Sequence, residues 1–142
     1  MHAPEGDARH HAGVLQDDAA TRSLRHAAKG RFLVGTAVAS RQVDNLPLAA
    51  LIADQFDCLT AENEFKPMSL HPRPGEFRFA AADKIVDFAQ RNRMKVIGHT
   101  LCWHSQSPSF LFRGPDGKPL PRDEALKILK DHIDGVMGSH YR

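Results

Sequence analysis

Long apolar runs are missing from this 142-residue chain. No stretch approaches the roughly 20 residues that a membrane-spanning helix requires, so nothing in it reads as a span. A large charge imbalance is missing too. Nineteen Lys and Arg against 17 Asp and Glu leave +2, too little to argue for a nucleic acid or an anionic membrane as partner. The phosphate-cradling patterns GxxxxGK and GxGxxG do not occur. The opening residues Met1-His2-Ala3-Pro4-Glu5-Gly6-Asp7 lack the basic and apolar regions of a secretory signal, and the compartment stays open. Cysteine is scarce. Cys58 and Cys102 fall near the start of one predicted strand and beyond the end of its neighbour. About seven residues of offset at roughly 3.3 Å each put them near 20 Å apart, so both are expected as free thiols.

What remains is ordinary core material. At 42% hydrophobic and 25% charged residues, the composition suits one folded domain and not a disordered chain. Residues 1–20 are polar and show no sustained period, and are read as a disordered leader. Thr21 or Ser23 can cap a short helix through Lys29 that Gly30 ends. Phe32-Leu33-Val34 is read as a first buried strand running into Gly35-Thr36-Ala37-Val38. Asp44, Asn45 and Pro47 open a helix whose apolar face carries Leu48, Leu51, Ile52 and Phe56. Asp57–Ala61 is a second strand. After a loop marked by Pro67, Pro72 and Pro74-Gly75, Phe77 and Phe79 alternate with polar neighbours, as an extended piece does. A helix is predicted over Asp83–Asn92 with Ile85, Val86, Phe88 and Ala89 inward, then a buried third strand, Met94–Ile97. Beyond a turn at 114–119, a long helix follows Pro121, with Gly138 as its stop. Strands alternating with helices predict parallel strands joined by right-handed crossovers.

Two chemically dense clusters fall at C-terminal strand ends. One is Glu62-Asn63-Glu64-Phe65-Lys66. The other is Gly98-His99-Thr100-Leu101-Cys102-Trp103-His104-Ser105-Gln106-Ser107-Pro108. So many hydrogen-bonding groups around an indole make poor core, since each buried polar atom without a partner costs roughly 1–3 kcal/mol. In a (β/α) barrel all strand C-termini open on one face, so the two clusters would meet there. Glu62, Asn63, Lys66, His99 and Gln106 supply donors and acceptors, and Trp103 supplies a flat apolar face. That combination matches the hydroxyls and C–H face of a sugar. A metal site at His99, Cys102 and His104 is the competing reading, although alternate positions on a strand point to opposite faces. Glu62 and Glu64 invite an acid–base reading. Neighbours on one strand end are nonetheless poorly placed to flank a glycosidic bond from both sides, and the plainer expectation puts one of them in a solvated loop or ion pair.

The stretches Thr60-Ala61-Glu62-Asn63-Glu64-Phe65-Lys66-Pro67, Pro74-Gly75-Glu76-Phe77-Arg78-Phe79 and Gly98–Pro108 resemble the endo-1,4-β-xylanases of glycoside hydrolase family 10. The resemblance covers about Phe32 to Phe112. It implies the first three βα units of a (β/α)8 TIM barrel, an α/β fold left incomplete, with residues 21–142 as the N-terminal part of one barrel domain. It implies hydrolysis of xylan with retention of configuration by the full-length enzyme, expected as a monomer, with xylan or xylo-oligosaccharides as partners and no cofactor. By the same resemblance, Glu62, Asn63 and Lys66 bind the sugar on the non-reducing side of the cleavage point. His99 and Trp103 wall the subsite where the bond breaks, and Gln106 lines the groove. Phe65 stands where Met is usual, and Phe110 where Trp often follows the proline. The family's acid/base glutamate closes a fourth strand and its nucleophile a seventh. The expectation is therefore that these 142 residues hold neither, do not hydrolyse xylan alone, and are marginally stable or prone to aggregate. A truncated non-catalytic carbohydrate-binding module is the alternative reading, and a metal-binding domain a further one.

Overall fold

The computed structural model describes residues 23–141. The expected leader over 1–20 and the Thr21 cap lie outside them. Ser23 does cap a first helix, α1 (Leu24–Ala27): its hydroxyl accepts the His26 N–H at 3.3 Å. The chain turns away by Gly30, whose φ of 78° suits a residue without a Cβ. The first strand, β1, is Gly35–Val38. Phe32, Leu33 and Val34 precede it, and Phe32 and Leu33 are exposed, so the buried strand expected there starts three residues later. Phe32 and Leu33 face out and Val34 is half-buried, because Val38 and Ala39, at the far end of the segment, take the interior positions.

Helix α2 (Leu46–Gln55) is capped by Asn45, whose Oδ1 accepts the Leu48 N–H at 3.1 Å, and Pro47 sits in its first turn. Its buried side is Ala49 and Ile52. Leu51, expected inward, is exposed, because the inward stripe is set by the Ala49–Ile52 spacing of three. Strand β2 (Cys58–Ala61) follows, then a short helix α3 (Pro67–Leu70) that the sequence reading passed over, then α4 (Ala80–Arg91). Helix α4 starts three residues earlier than expected and buries Ala82, Ile85, Phe88 and Ala89. Strand β3 (Lys95–Ile97) is not buried as predicted: Lys95 and Ile97 are exposed and Val96 half-buried. Helix α5 (Arg122–Ile133) does not stop at Gly138 but runs on through a wider π turn, Asp134–His140.

The three strands form one parallel sheet in the order β1-β2-β3, as the alternation requires. Register pairs Gly35 with Cys58 and Cys58 with Lys95. A Cβ on Gly35 would come within 2.5 Å of the Cys58 Sγ, so this pairing depends on the glycine. Both cysteines are free, Cys58 buried and Cys102 exposed. The core gathers Val38, Leu59 and Ala61 of the sheet with Ile52, Ile85, Phe88 and Ala89 of the helices and Phe65, Leu70 and Met94 between them. Among the described residues β3 is hydrogen-bonded to a strand on one side only, which leaves Ile97 56% exposed at the edge.

Candidate functional site

β2 ends at Ala61, and the Glu62 N–H still donates to the Val38 carbonyl at 2.9 Å, so the first cluster leaves the sheet in a fixed direction. A tight turn follows, closed by the Lys66 N–H on the Asn63 carbonyl at 3.0 Å. Phe65 points down from it into the core, 6% exposed, which turns the polar neighbours outward. The Lys66 Nζ then donates to the Asn63 Oδ1 at 3.0 Å. The second cluster starts beyond Ile97, whose carbonyl accepts the Thr60 hydroxyl at 2.9 Å and ties the two strand ends together. The Ser107 hydroxyl donates to the Trp103 carbonyl at 2.8 Å and pins the turn that presents the indole. Finally the Met68 N–H donates to the Gln106 carbonyl at 2.9 Å, stitching one loop to the other.

The two clusters meet. The Lys66 ammonium lies 5.8 Å from the centre of the Trp103 ring, within cation–π range. His99 stands edge-on to that indole at 4.7 Å and His104 tilts against it at 4.8 Å. Asn63, Lys66, His99 and Trp103 thus share one rim. Gln106 joins it through its backbone, in a left-handed conformation with φ of 51°, while its side chain is exposed. Glu62 is exposed at the end of β2 and forms no ion pair among the described residues.

Glu64 serves the backbone. Its Oε1 accepts the Ser40 N–H at 2.5 Å and its Oε2 the Asn63 N–H at 3.2 Å. Burial pushes its carboxyl up, but the N–H groups of Ser40, of Glu64 itself and of Asn63 outweigh that and hold it below the ordinary carboxylate value. It therefore clasps the loop after β1 to the loop after β2, and of the two carboxylates in this segment only Glu62 is free to face a ligand. Sequence reasoning missed the clasp because Ser40 lies 24 residues away. It also missed a buried pair, His71 and His132, whose Nδ1 atoms are 3.2 Å apart. A signal existed for the second: Ala125, Leu129, His132 and Val136 recur at spacings of four, three and four, which places His132 on the inner stripe of α5. Among the described residues no group of three or more His, Cys, Asp or Glu is arranged to hold a metal ion.

Parallel strands whose C-terminal ends carry a polar rim around an indole define an α/β protein with the site placement of (β/α) enzymes. The chain belongs to glycosyl hydrolase family 10, whose model matches residues 23–142. It is 37% identical over 124 residues to an endo-1,4-beta-xylanase/feruloyl esterase of Xylanibacter ruminicola, covering 87% of this chain and 17% of that one. It is 41% identical over 120 residues to a beta-1,4-xylanase of Dictyoglomus thermophilum, covering 84% and 32%. Among solved structures it resembles an intracellular xylanase of Thermoanaerobacterium saccharolyticum, determined as a variant in complex with xylotetraose. There the TM-score is 0.78 at 43% identity, over 82% of this chain and 37% of that one. The chain spans about a third or less of the length of these relatives.

Proposed function

We propose that residues 21–142 are the first three βα units of a (β/α)8 barrel and form the glycone-side wall of an endo-1,4-β-xylanase. Its ligand is xylan or a xylo-oligosaccharide. Asn63, Lys66 and Glu62 hold sugar hydroxyls, Trp103 and His99 give the ring a flat surface, and Gln106 lines the groove. The observation that carries the reading is the Lys66–Trp103 contact, because it joins residues 37 positions apart into one donor-plus-platform surface. Positioning is what such a wall contributes to catalysis. Cleavage needs more. Retaining hydrolysis takes two carboxyls about 5–5.5 Å apart across the bond, and Glu64 is committed to two backbone N–H groups. The hydrolytic pair is assigned to other parts of the barrel.

The test is titration of the 142-residue chain with xylotetraose, followed by heat of binding, alongside a reducing-sugar assay on xylan. Saturable binding that weakens at least tenfold in Trp103→Ala and Lys66→Ala, with no sugar released, is expected. Binding that survives both substitutions refutes the shared wall. Sugar release by the pure chain refutes the assignment of the carboxylates.

A further inference from the structure

Away from the rim, two imidazoles are buried face to face. His71 is 4% exposed and His132 not at all. Their rings lie 9° from parallel with centroids 5.3 Å apart, and their Nδ1 atoms share one hydrogen bond at 3.2 Å. Phe77 stacks on His71 at 4.1 Å, and Phe110 meets it edge-on at 4.9 Å. The Nε2 atoms of both histidines are buried with no hydrogen-bond partner among the described residues. One shared proton between two neutral rings is the arrangement this geometry satisfies. A first added proton would leave one buried cation beside a neutral ring with no carboxylate paired to it among the described residues, and a second would place two cations at hydrogen-bond distance in an aromatic box.

The pair sits where both rim loops are anchored. His71 caps the C-terminus of α3, the helix that begins directly after Lys66 and whose Met68 N–H holds the Gln106 carbonyl. His132 belongs to α5 and has the backbone of Leu101, four residues from Lys66's partner loop start at Ile97, against its ring. We propose that the His71–His132 pair is an acid-sensitive brace that holds the two rim loops together while neutral and lets them separate when protonated.

The charged groups nearest the pair are not bonded to it. His71 borders an open cleft together with Arg113 from the loop before α5 and Glu124 and Asp131 from α5, which gives protons a route in. Asp131 is engaged by the Lys127 ammonium at 2.7 Å, and Arg113 donates to the Gly117 carbonyl at 3.0 Å. On the loop after α3, Arg73 and Arg78 pair with Glu76. No carboxylate forms an ion pair with either imidazole among the described residues. Burial lowers the affinity of His71 for a proton; burial and then the His71 charge lower that of His132, outweighing the Leu101 backbone, which acts the other way. Unfolded imidazoles take up protons near pH 6.5. Below that value the unfolded chain binds more protons than the folded one, so the contribution of the pair is complete above about pH 6.5 and is lost as acid reaches the folded values.

The brace is independent of what the rim binds, and its test uses no sugar. The 142-residue chain is titrated between pH 7.5 and pH 4.5, following the imidazole Cε1–H resonances, the urea midpoint and the emission of Trp103, the chain's one tryptophan. The unfolding constant is expected to rise by up to about tenfold per pH unit for each proton taken up. That slope should shrink in His132→Gln and shrink further in the double variant with His71→Gln, which keep polar groups that do not titrate. His99 and His104 also touch Trp103, so the diagnostic emission change is the part that disappears in His132→Gln. Resonance midpoints at or above about 6.5 for both histidines overturn the proposal. So do pH profiles of stability and emission in His132→Gln that parallel the parent, or a parent chain already unfolded at pH 7.5. Should the variants fail to fold, the resonance midpoints of the parent decide.

Discussion

Removing the Glu64 carboxylate tests whether the rim is held from behind. Glu64→Ala leaves two backbone donors, the Ser40 and Asn63 N–H groups, without the oxygens they meet at 2.5 and 3.2 Å. A hydrogen bond to a charged partner contributes about 1.5–3 kcal/mol. Glu64 is only half-buried, so water recovers part of that, and the longer bond counts for less. A loss of about 2 kcal/mol at pH 7 follows, read as a lower urea midpoint with an unchanged slope. Glu64→Gln keeps one carbonyl acceptor and should lose roughly half as much. The sign with pH is fixed by the depressed carboxyl. Its stabilisation is complete above the ordinary carboxylate range and falls away as pH drops through the folded value, so parent and Glu64→Ala converge in acid. A stability for Glu64→Ala within about 0.5 kcal/mol of the parent refutes the clasp, since that is the scale of an indifferent surface change. A gap that widens on acidification refutes the electrostatics.

Gly35→Ala should cost about 1–3 kcal/mol, because its Cβ would lie 2.5 Å from the Cys58 Sγ. The double variant with Cys58→Ala should recover more than about 0.5 kcal/mol relative to the sum of the singles, and strict additivity would dismiss the contact. Asn45→Ala should lower stability by about 1 kcal/mol through loss of the α2 cap, while Asn45→Asp retains it; equal midpoints for all three chains would count against the cap. The 142-residue chain should associate through the β3 edge, and Ile97→Lys, which charges an exposed edge residue, should suppress that in light scattering. Unchanged association would place the sticky surface elsewhere.

Local chemistry was enough to narrow the caps to Thr21 or Ser23 and to Asp44 or Asn45, of which Ser23 and Asn45 do the capping, and to find the order of strands and helices and the parallel sheet that order demands. It also located both dense clusters, whose polar groups around an indole have no use inside a core. Side-chain periodicity lasts only a few residues in short elements, so it could not tell which apolar triplet lies inward. That is why Phe32, Leu33 and Leu51 face out, and why α3, a single turn opened by Pro67, escaped notice. Edge position exposes Ile97: it is apolar enough for a core, but among the described residues only β2 lies beside β3.

The sequence by itself determined that two hydrophilic segments leave parallel strands at the same end, since strand direction and alternation follow from the chain alone. Only the tertiary structure decided which of their groups are free. It turned Glu64 inward onto Ser40, set Lys66 beside Trp103, and closed His71 on His132 across 61 residues. Each of those contacts depends on how elements distant in sequence pack, and no window of neighbouring residues carries that information.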